Sequence, residues 1–307
     1  MAQISIIIPV YNVACFIAET LESVKAQTFA DFQAIVVDDG SSDDTASIAR
    51  EICATDPRFV FAANPENRGI ADTLNHALSL ADGQFIARAD GDDVMIPDRL
   101  EREMAFLAAH PEIALVGASF IAIDEEGNEL RREVKAHGPK TIRDLLRFTS
   151  PIAHIWLARR AVYDALGGYR MSSVEDYDFL LRADRAGLAM DNIADYFSMK
   201  VRVRRGNTLT TKGYAQARLR EYAWHLYKNA QPGEPDAYDQ EKVEAILADD
   251  GSSLMARMHN HSSRLAMAAS GSQNRWARLV LYAGAAGLSP YRARYFVRRF
   301  LEKSGLR

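Results

Sequence analysis

The sequence predicts an α/β fold, a mostly parallel sheet flanked by helices, with a helical appendage at the C-terminal end. Short apolar, β-branched runs alternate with segments of helical period through the N-terminal part, the pattern of successive βαβ units. Acid-rich turns follow two of these runs, after Val37 and after Ala89. Ligands of open parallel sheets gather beyond the carboxyl ends of the strands, where these turns stand. From about Lys212 onward strand signals cease and helical sequence takes over.

Ile4–Val10 is a continuous apolar run, as expected of a strand covered on both faces. Phe16, Leu21 and Val24 recur at helical spacing, giving a helix that ends near Gln27. Ala34–Val37 reads as a second strand closed by Asp38-Asp39-Gly40-Ser41-Ser42, and Ser42 or Asp44 caps a helix over Thr45–Ala54. Phe59–Ala63, Ile70–Leu80 and Phe85–Ala89 repeat the order strand, helix, strand. A helix over Pro97–His110, the apolar run Ile113–Ile123 and a turn at Glu125–Asn128 follow. Beyond Gly138 the pattern loosens. Helices are expected near Thr141–Phe148, Arg160–Leu166 and Asp176–Ala186, with a break at Gly167-Gly168 and an alternating strand over Tyr196–Val203. In the helical tail, Gln231–Pro235 reads as a loop.

The 307 residues allow one large domain with an appendage, and 48% hydrophobic against 25% charged residues allow a sizeable core. A net charge of −4 gives the whole molecule no electrostatic reason to bind nucleic acid. The two cysteines, Cys15 and Cys53, both fall in expected helices, which argues for a reducing cytoplasm over a disulfide framework. The first residues carry neither a basic region nor a small-residue cleavage site, and no stretch is apolar for long enough to span a bilayer.

Asp90-Gly91-Asp92-Asp93 places three carboxylates in four residues at a strand end. Their mutual repulsion and lost hydration are relieved by a hard divalent cation with oxygen ligands, Mg²⁺ or Mn²⁺, which can also bridge phosphates. The plainer reading of the same residues is an acidic turn before the Pro97 helix.

Pro9-Val10-Tyr11-Asn12, Val37-Asp38-Asp39-Gly40-Ser41, Asn67-Arg68-Gly69-Ile70, the Asp90–Asp93 cluster and Glu175-Asp176-Tyr177-Asp178 follow one another along the chain. In this order and spacing the chain resembles the family 2 inverting glycosyltransferases of the GT-A fold, over roughly residues 3–206. The resemblance implies a glycosyltransferase domain over 1–210, with a nucleotide-sugar-binding part at 1–95, an acceptor-binding part at 96–210 and a helical region at 211–307. It implies that Pro9 and Tyr11 wall the nucleotide base and that Asp39 accepts from it, which suits uracil and a UDP-sugar donor. Arg68 would touch phosphate or donor sugar. Asp90 and Asp92 would be the acids of a D-x-D element, Asp92 as direct ligand of Mn²⁺ or Mg²⁺ and Asp90 nearer the donor ribose or sugar. Asp93 would hold the loop. Asp176 would be the general base that takes the acceptor hydroxyl proton, with Glu175 and His154 on the acceptor side. Arg202, Arg204 and Arg205 would clamp diphosphate oxygens, or be solvated charge at a strand end.

For each residue a bland reading stands beside this one. Tyr11 reads equally as a core aromatic, Asp39 as a turn former, Arg68 as a surface arginine and His154 as a satisfied core histidine. Glu175, Asp176 and Asp178 together also suit the positive end of a helix macrodipole. No Gln-x-x-Arg-Trp element occurs, so transfer of a single sugar to a carbohydrate or glycolipid acceptor is expected over processive synthesis, in cell-surface polysaccharide or glycolipid assembly. A catalytically silent nucleotide-sugar-binding scaffold and, further off, a nucleotidyltransferase are the alternatives. The latter lacks support because a glycine-rich basic loop is missing after the first strand. Residues 271–307 are basic with interleaved aromatics. They are expected to pack their aromatic side on the main domain or, as a peripheral contact, to lie on an anionic membrane.

Overall fold

The computed structural model describes residues 2–204, 213–231, 234–248, 253–271, 275–291 and 293. The chain forms two compact units, Met1–Leu146 with Ser150–Arg204, and Arg147–Thr149 with Arg205–Arg307.

The first unit is built on one mixed sheet. Its strands are β1 (Ile4–Val10), β2 (Phe32–Asp38), β3 (Phe59–Ala63), β4 (Phe85–Arg88), β5 (Val94–Met95), β6 (Ile113–Ile123), β7 (Glu129–Glu133), β8 (Leu157–Arg159) and β9 (Ala189–Arg202). They run in the order β3-β2-β1-β4-β8-β6-β9-β5, with β7 beside β6. β3, β2, β1 and β4 pair in parallel, so the expected parallel sheet is met in the N-terminal half of the unit. Past β4 the sheet turns mixed: β8 is antiparallel to both β4 and β6, β9 is parallel to β6, and β5 is antiparallel to β9. The seam at β4 is where the polar residues collect.

Helices α1 (Ile17–Lys25), α2 (Thr45–Cys53), α3 (Ile70–Leu80) and α4 (Arg99–Ala109) cover the sheet. Ile4, Ile6, Ile8 and Val10 of β1 join Ile17, Leu21 and Val24 of α1 and Leu100 and Leu107 of α4 in one buried cluster. Ile7, also buried, takes the alternate position, and α3 packs against β1 and β2. A central strand covered on both faces needs an unbroken apolar run, and each fully buried isoleucine contributes about 1.5–3 kcal/mol. Cys53 lies buried in α2 as expected. Cys15 does not: it sits exposed in the turn before α1.

Three further helices, α5 (Pro139–Leu146), α6 (Arg160–Leu166) and α7 (Glu175–Arg185), complete the unit. Behind α7, Phe179 lies against Trp156, Tyr163 and Tyr169, with ring centroids 5.4, 4.9 and 5.0 Å away. This aromatic block fixes where the helix begins.

In the second unit the described residues form α8 (Gly213–Asn229), α9 (Gln240–Leu247), α10 (Leu254–Gly271) and α11 (Arg275–Leu288). His259 of α10 bonds Ser289 at 2.8 Å and lies beside the rings of Tyr214 and Tyr291. Tyr291 thus packs inside its own unit. Trp276 and Leu279 are exposed. Arg205, Gly206-Asn207-Thr208 and most of the basic stretch after Tyr291 lie outside the described residues.

Candidate active site

The loop after β1 is stitched to the loop after β2. Asn12, at φ 49°, donates its backbone N–H to Ser41 Oγ at 3.0 Å and accepts from the Ser42 N–H at 2.9 Å through Oδ1; Val13 N–H donates to Thr45 Oγ1 at 2.8 Å. Pro9 is buried within β1, while Tyr11 stands on this loop with 44% of its surface exposed.

Asp39 is buried at the end of β2 and serves as a hub. Its Oδ1 accepts from Asn64 Nδ2 at 2.8 Å and from the Arg68 N–H at 2.9 Å, and its Oδ2 from the Gly69 N–H at 2.9 Å. A carboxylate has about four lone-pair sites, so Oδ2 retains capacity for another donor. Next to it, Asp38 Oδ1 is buried without a partner. Arg68 therefore meets Asp39 through its main chain. Its guanidinium pairs with Asp72 at 4.0 Å in a cleft of about 380 Å³ shared with Asn64, Asn75 and His76.

β4 carries a residue that the sequence reading passed over. Arg88, only 2% exposed, donates from Nε to Asp90 Oδ1 at 2.8 Å and from Nη2 to Asp90 Oδ2 at 3.2 Å. Its Nη1 donates to Glu175 Oε1 at 3.1 Å, at the first turn of α7. One guanidinium thereby joins the Asp90–Asp93 cluster to the Glu175-Asp176 pair. The signal was present: an arginine inside a central, otherwise apolar strand must find anions, since buried charge without partners is prohibitively costly.

His154 completes the surroundings of Asp90, with Nε2 3.2 Å from Asp90 Oδ2 and 4.0 Å from Asp93 Oδ2. Burial alone would raise the Asp90 carboxyl, but Arg88 and His154 hold it well below the usual range. Burial opposes the charged form of His154, which Asp90 nonetheless pushes upward. Asp93 goes the other way, raised by burial and by its neighbours Asp92 and Asp90. It fits the expected loop-holding part, accepting from the Arg202 N–H at 2.9 Å. Glu175 is likewise raised by burial, Arg88 opposing and Asp176 and Asp90 adding to it.

Asp92 accepts from Arg204 Nε at 2.6 Å through Oδ2. Arg202 is not a phosphate clamp here. It is buried, with Nε on the Asp92 carbonyl, Nη1 on the Asp124 and Glu125 carbonyls and Nη2 on Glu19. Gly91 lies between the acids, where an added Cβ would come within 2.6 Å of Val10 Cγ1. Thr20 Oγ1 donates to its carbonyl at 3.1 Å. The acidic loop is thus pinned to β1, α1 and β9 at once.

Asp176 is half-buried at the start of α7, and Asp178 is occupied by Arg170 and Arg182. The segment before them is bent: Met171 and Ser173 take φ of 59° and 81°, a left-handed conformation that side chains with a Cβ adopt at a cost. Ser172 between them accepts from the Ala71 N–H at 3.3 Å, bringing this segment to the start of α3.

A divalent cation was expected at Asp90 and Asp92. The two oxygens of Asp90 are engaged by Arg88 and His154, whereas Asp92 is engaged through Oδ2 by Arg204. Among the described residues no three histidine, cysteine or carboxylate side chains gather as a metal cage. Mg²⁺ and Mn²⁺ do not need one, since a single carboxylate with phosphate and water ligands suffices. The donor set therefore fits a cation held by Asp92 together with a diphosphate.

Three comparisons bear on this arrangement. The family model described as Glycosyl transferase family 2 matches residues 5–167. The Putative glycosyltransferase EpsE of Bacillus subtilis (strain 168) is 34% identical over 199 residues, 63% of this chain and 70% of that protein. Chondroitin synthase of Escherichia coli is 31% identical over 186 residues, 60% of this chain but 27% of that much longer protein. Among solved structures, S. aureus TarS 1-349 in complex with UDP-GlcNAc superposes with a TM-score of 0.60 at 19% identity, over 99% of this chain and 92% of that one. At that identity the likeness speaks for the fold, which is of the GT-A type.

Proposed function

The chain belongs to glycosyl transferase family 2, and from that membership we propose that it moves a single sugar from a UDP-sugar to an acceptor hydroxyl with inversion at the anomeric carbon. The observation that carries this reading is the bridge from Asp90 through Arg88 to Glu175, which joins the donor-side acids to the acceptor-side acids.

In the reaction, Tyr11 and Pro9 receive the base and Asp39 Oδ2 accepts the uracil imide N–H. Asp92 is the residue that would hold Mn²⁺ or Mg²⁺; when bound, the cation offsets the negative charge gathering on the diphosphate. Asp176 accepts the proton of the acceptor hydroxyl as its oxygen bonds the anomeric carbon from the face opposite the diphosphate, and the carbon–diphosphate bond breaks. No protein acid is required on the leaving side. Glu175 and His154, each tied to the Arg88–Asp90 group, position the acceptor edge of the site. Chondroitin synthase among the relatives supports a polysaccharide or related glycoconjugate as acceptor.

The test is Asp176→Asn, which preserves shape and removes basicity. UDP binding measured by calorimetry should be retained within about twofold, while sugar transfer, or donor hydrolysis without acceptor, should fall at least about a hundredfold. Undiminished transfer by the variant would remove Asp176 from the mechanism.

A further inference from the structure

Helix α11 turns one apolar face toward α10 and leaves apolar side chains on another face exposed. Toward α10 it turns the buried Ala285, whose carbonyl accepts a 2.6 Å bond from Ser262 Oγ. The other face presents Trp276, Leu279 and Val280, which are 75%, 60% and 69% exposed, and continues through exposed Ala283 and Gly287. These positions recur at helical spacing and form one stripe. From Leu279 to Leu288 no side chain is charged. A helix apolar all round belongs in a protein core or in lipid. At 1.5 Å per residue, the 14 residues of α11 reach about 21 Å, short of the roughly 30 Å of a hydrocarbon core. Among the described residues no helix is long and apolar enough to cross a membrane. Such a helix suits the plane of an interface.

Charge selects the kind of interface. Residues 251–301 contain eight arginines and no aspartate or glutamate, in a chain whose net charge is −4. On α10, Arg257 and Arg264 are exposed in the same helix as exposed Leu254 and Met255. So one-sided a balance opposes pairing with a second copy, where like charges would face each other. It favours a surface that offers anions beside an apolar layer.

We propose that the α10–α11 hairpin docks this protein on an anionic lipid bilayer, the Trp276–Leu279–Val280 stripe entering the boundary between headgroups and acyl chains. The proposal stands apart from the catalytic reading, since it uses none of the residues of that site.

The full chain is sedimented with vesicles of phosphatidylcholine alone or mixed with about one-third phosphatidylglycerol. Binding to the mixed vesicles should exceed that to neutral ones by about tenfold or more and should weaken in about 0.5 M salt. Leu279→Ser combined with Val280→Ser should lower it about tenfold again, with the thermal midpoint and UDP binding unchanged. As a second measurement, brominated lipid should quench tryptophan emission of the wild type, and Trp276→Phe should abolish the quench without abolishing binding. Equal binding to both vesicles, indifference to the serine pair, or quenching that survives in Trp276→Phe would each overturn the proposal. A dimer that the serine pair dissociates, in a protein that ignores vesicles, would assign the face to a second copy instead.

Discussion

Arg88 and Glu175, 87 residues apart in the chain, are joined by a buried 3.1 Å hydrogen bond between unlike charges. The same guanidinium holds Asp90 with its other two nitrogens. Removing it leaves two acids facing each other in a poorly hydrated space, the costly half of any buried ion pair.

Arg88→Met is therefore expected to destabilise the fold by about 3 kcal/mol and to lower transfer by at least about a hundredfold. Arg88→Lys restores charge but not the fork, and should recover stability more than activity. Urea midpoints and kcat measured on both variants decide the point; equal recovery of the two would argue that Arg88 acts on stability alone.

Arg204 occupies Asp92 Oδ2 at 2.6 Å and so competes with a cation for that carboxylate. Arg204→Met should tighten Mn²⁺ binding in the presence of UDP by about tenfold, and Asp92→Asn should weaken it by as much or more. Manganese titration followed by electron paramagnetic resonance reads both. Weaker binding in Arg204→Met would mean that the arginine supports the diphosphate and does not hinder the metal.

Arg99 and Glu103 are wholly buried partners, with Arg99 also donating to the Arg88 and Ile155 carbonyls. Burial pushes the Glu103 carboxyl up to about 7, Arg99 pulling against it. The folded chain thus keeps this proton after the unfolded chain, titrating near 4.5, has lost it. Stability contributed at this position is full below that lower value and declines as pH rises toward 7, by at most about 3 kcal/mol. The difference in unfolding free energy between wild type and Glu103→Gln should change between pH 5 and pH 8 in that sense. A difference independent of pH would contradict the shift.

The two cysteines should behave as one reactive and one silent thiol. Cys15 is exposed, whereas burial pushes the Cys53 thiol up to about 11. A disulfide reagent near pH 8 should label one thiol per native chain within minutes and the second only on unfolding. Cys15→Ser should erase the fast phase.

The N-terminal half of the fold was legible because its strands are buried on both faces and its helices on one, so each carries its own periodicity. β8 is three residues long and has no period to show. β7, Glu-Leu-Arg-Arg-Glu, is an exposed edge strand defended by charge, and reads as solvated turn. β9 begins at Ala189, well before the expected Tyr196. Asp195 at φ 52° and a register shift against β6 put the halves of the strand out of phase. In the site, the acids announced themselves by number and by their place at strand ends. The burial of Arg99 and Arg202 did not, because it depends on partners far away in sequence.

Gly91 has a bearing on how this protein can change over generations. Its backbone is ordinary, yet a Cβ there would come within 2.6 Å of Val10 Cγ1, so that either Val10 or the loop that carries Asp90 and Asp92 must shift. Most single-base changes in that codon would thus press either on Val10 or on the loop between the two carboxylates. Drift at that codon is closed unless position 10 shrinks first, so any lineage that varies residue 91 should carry a smaller residue in place of Val10.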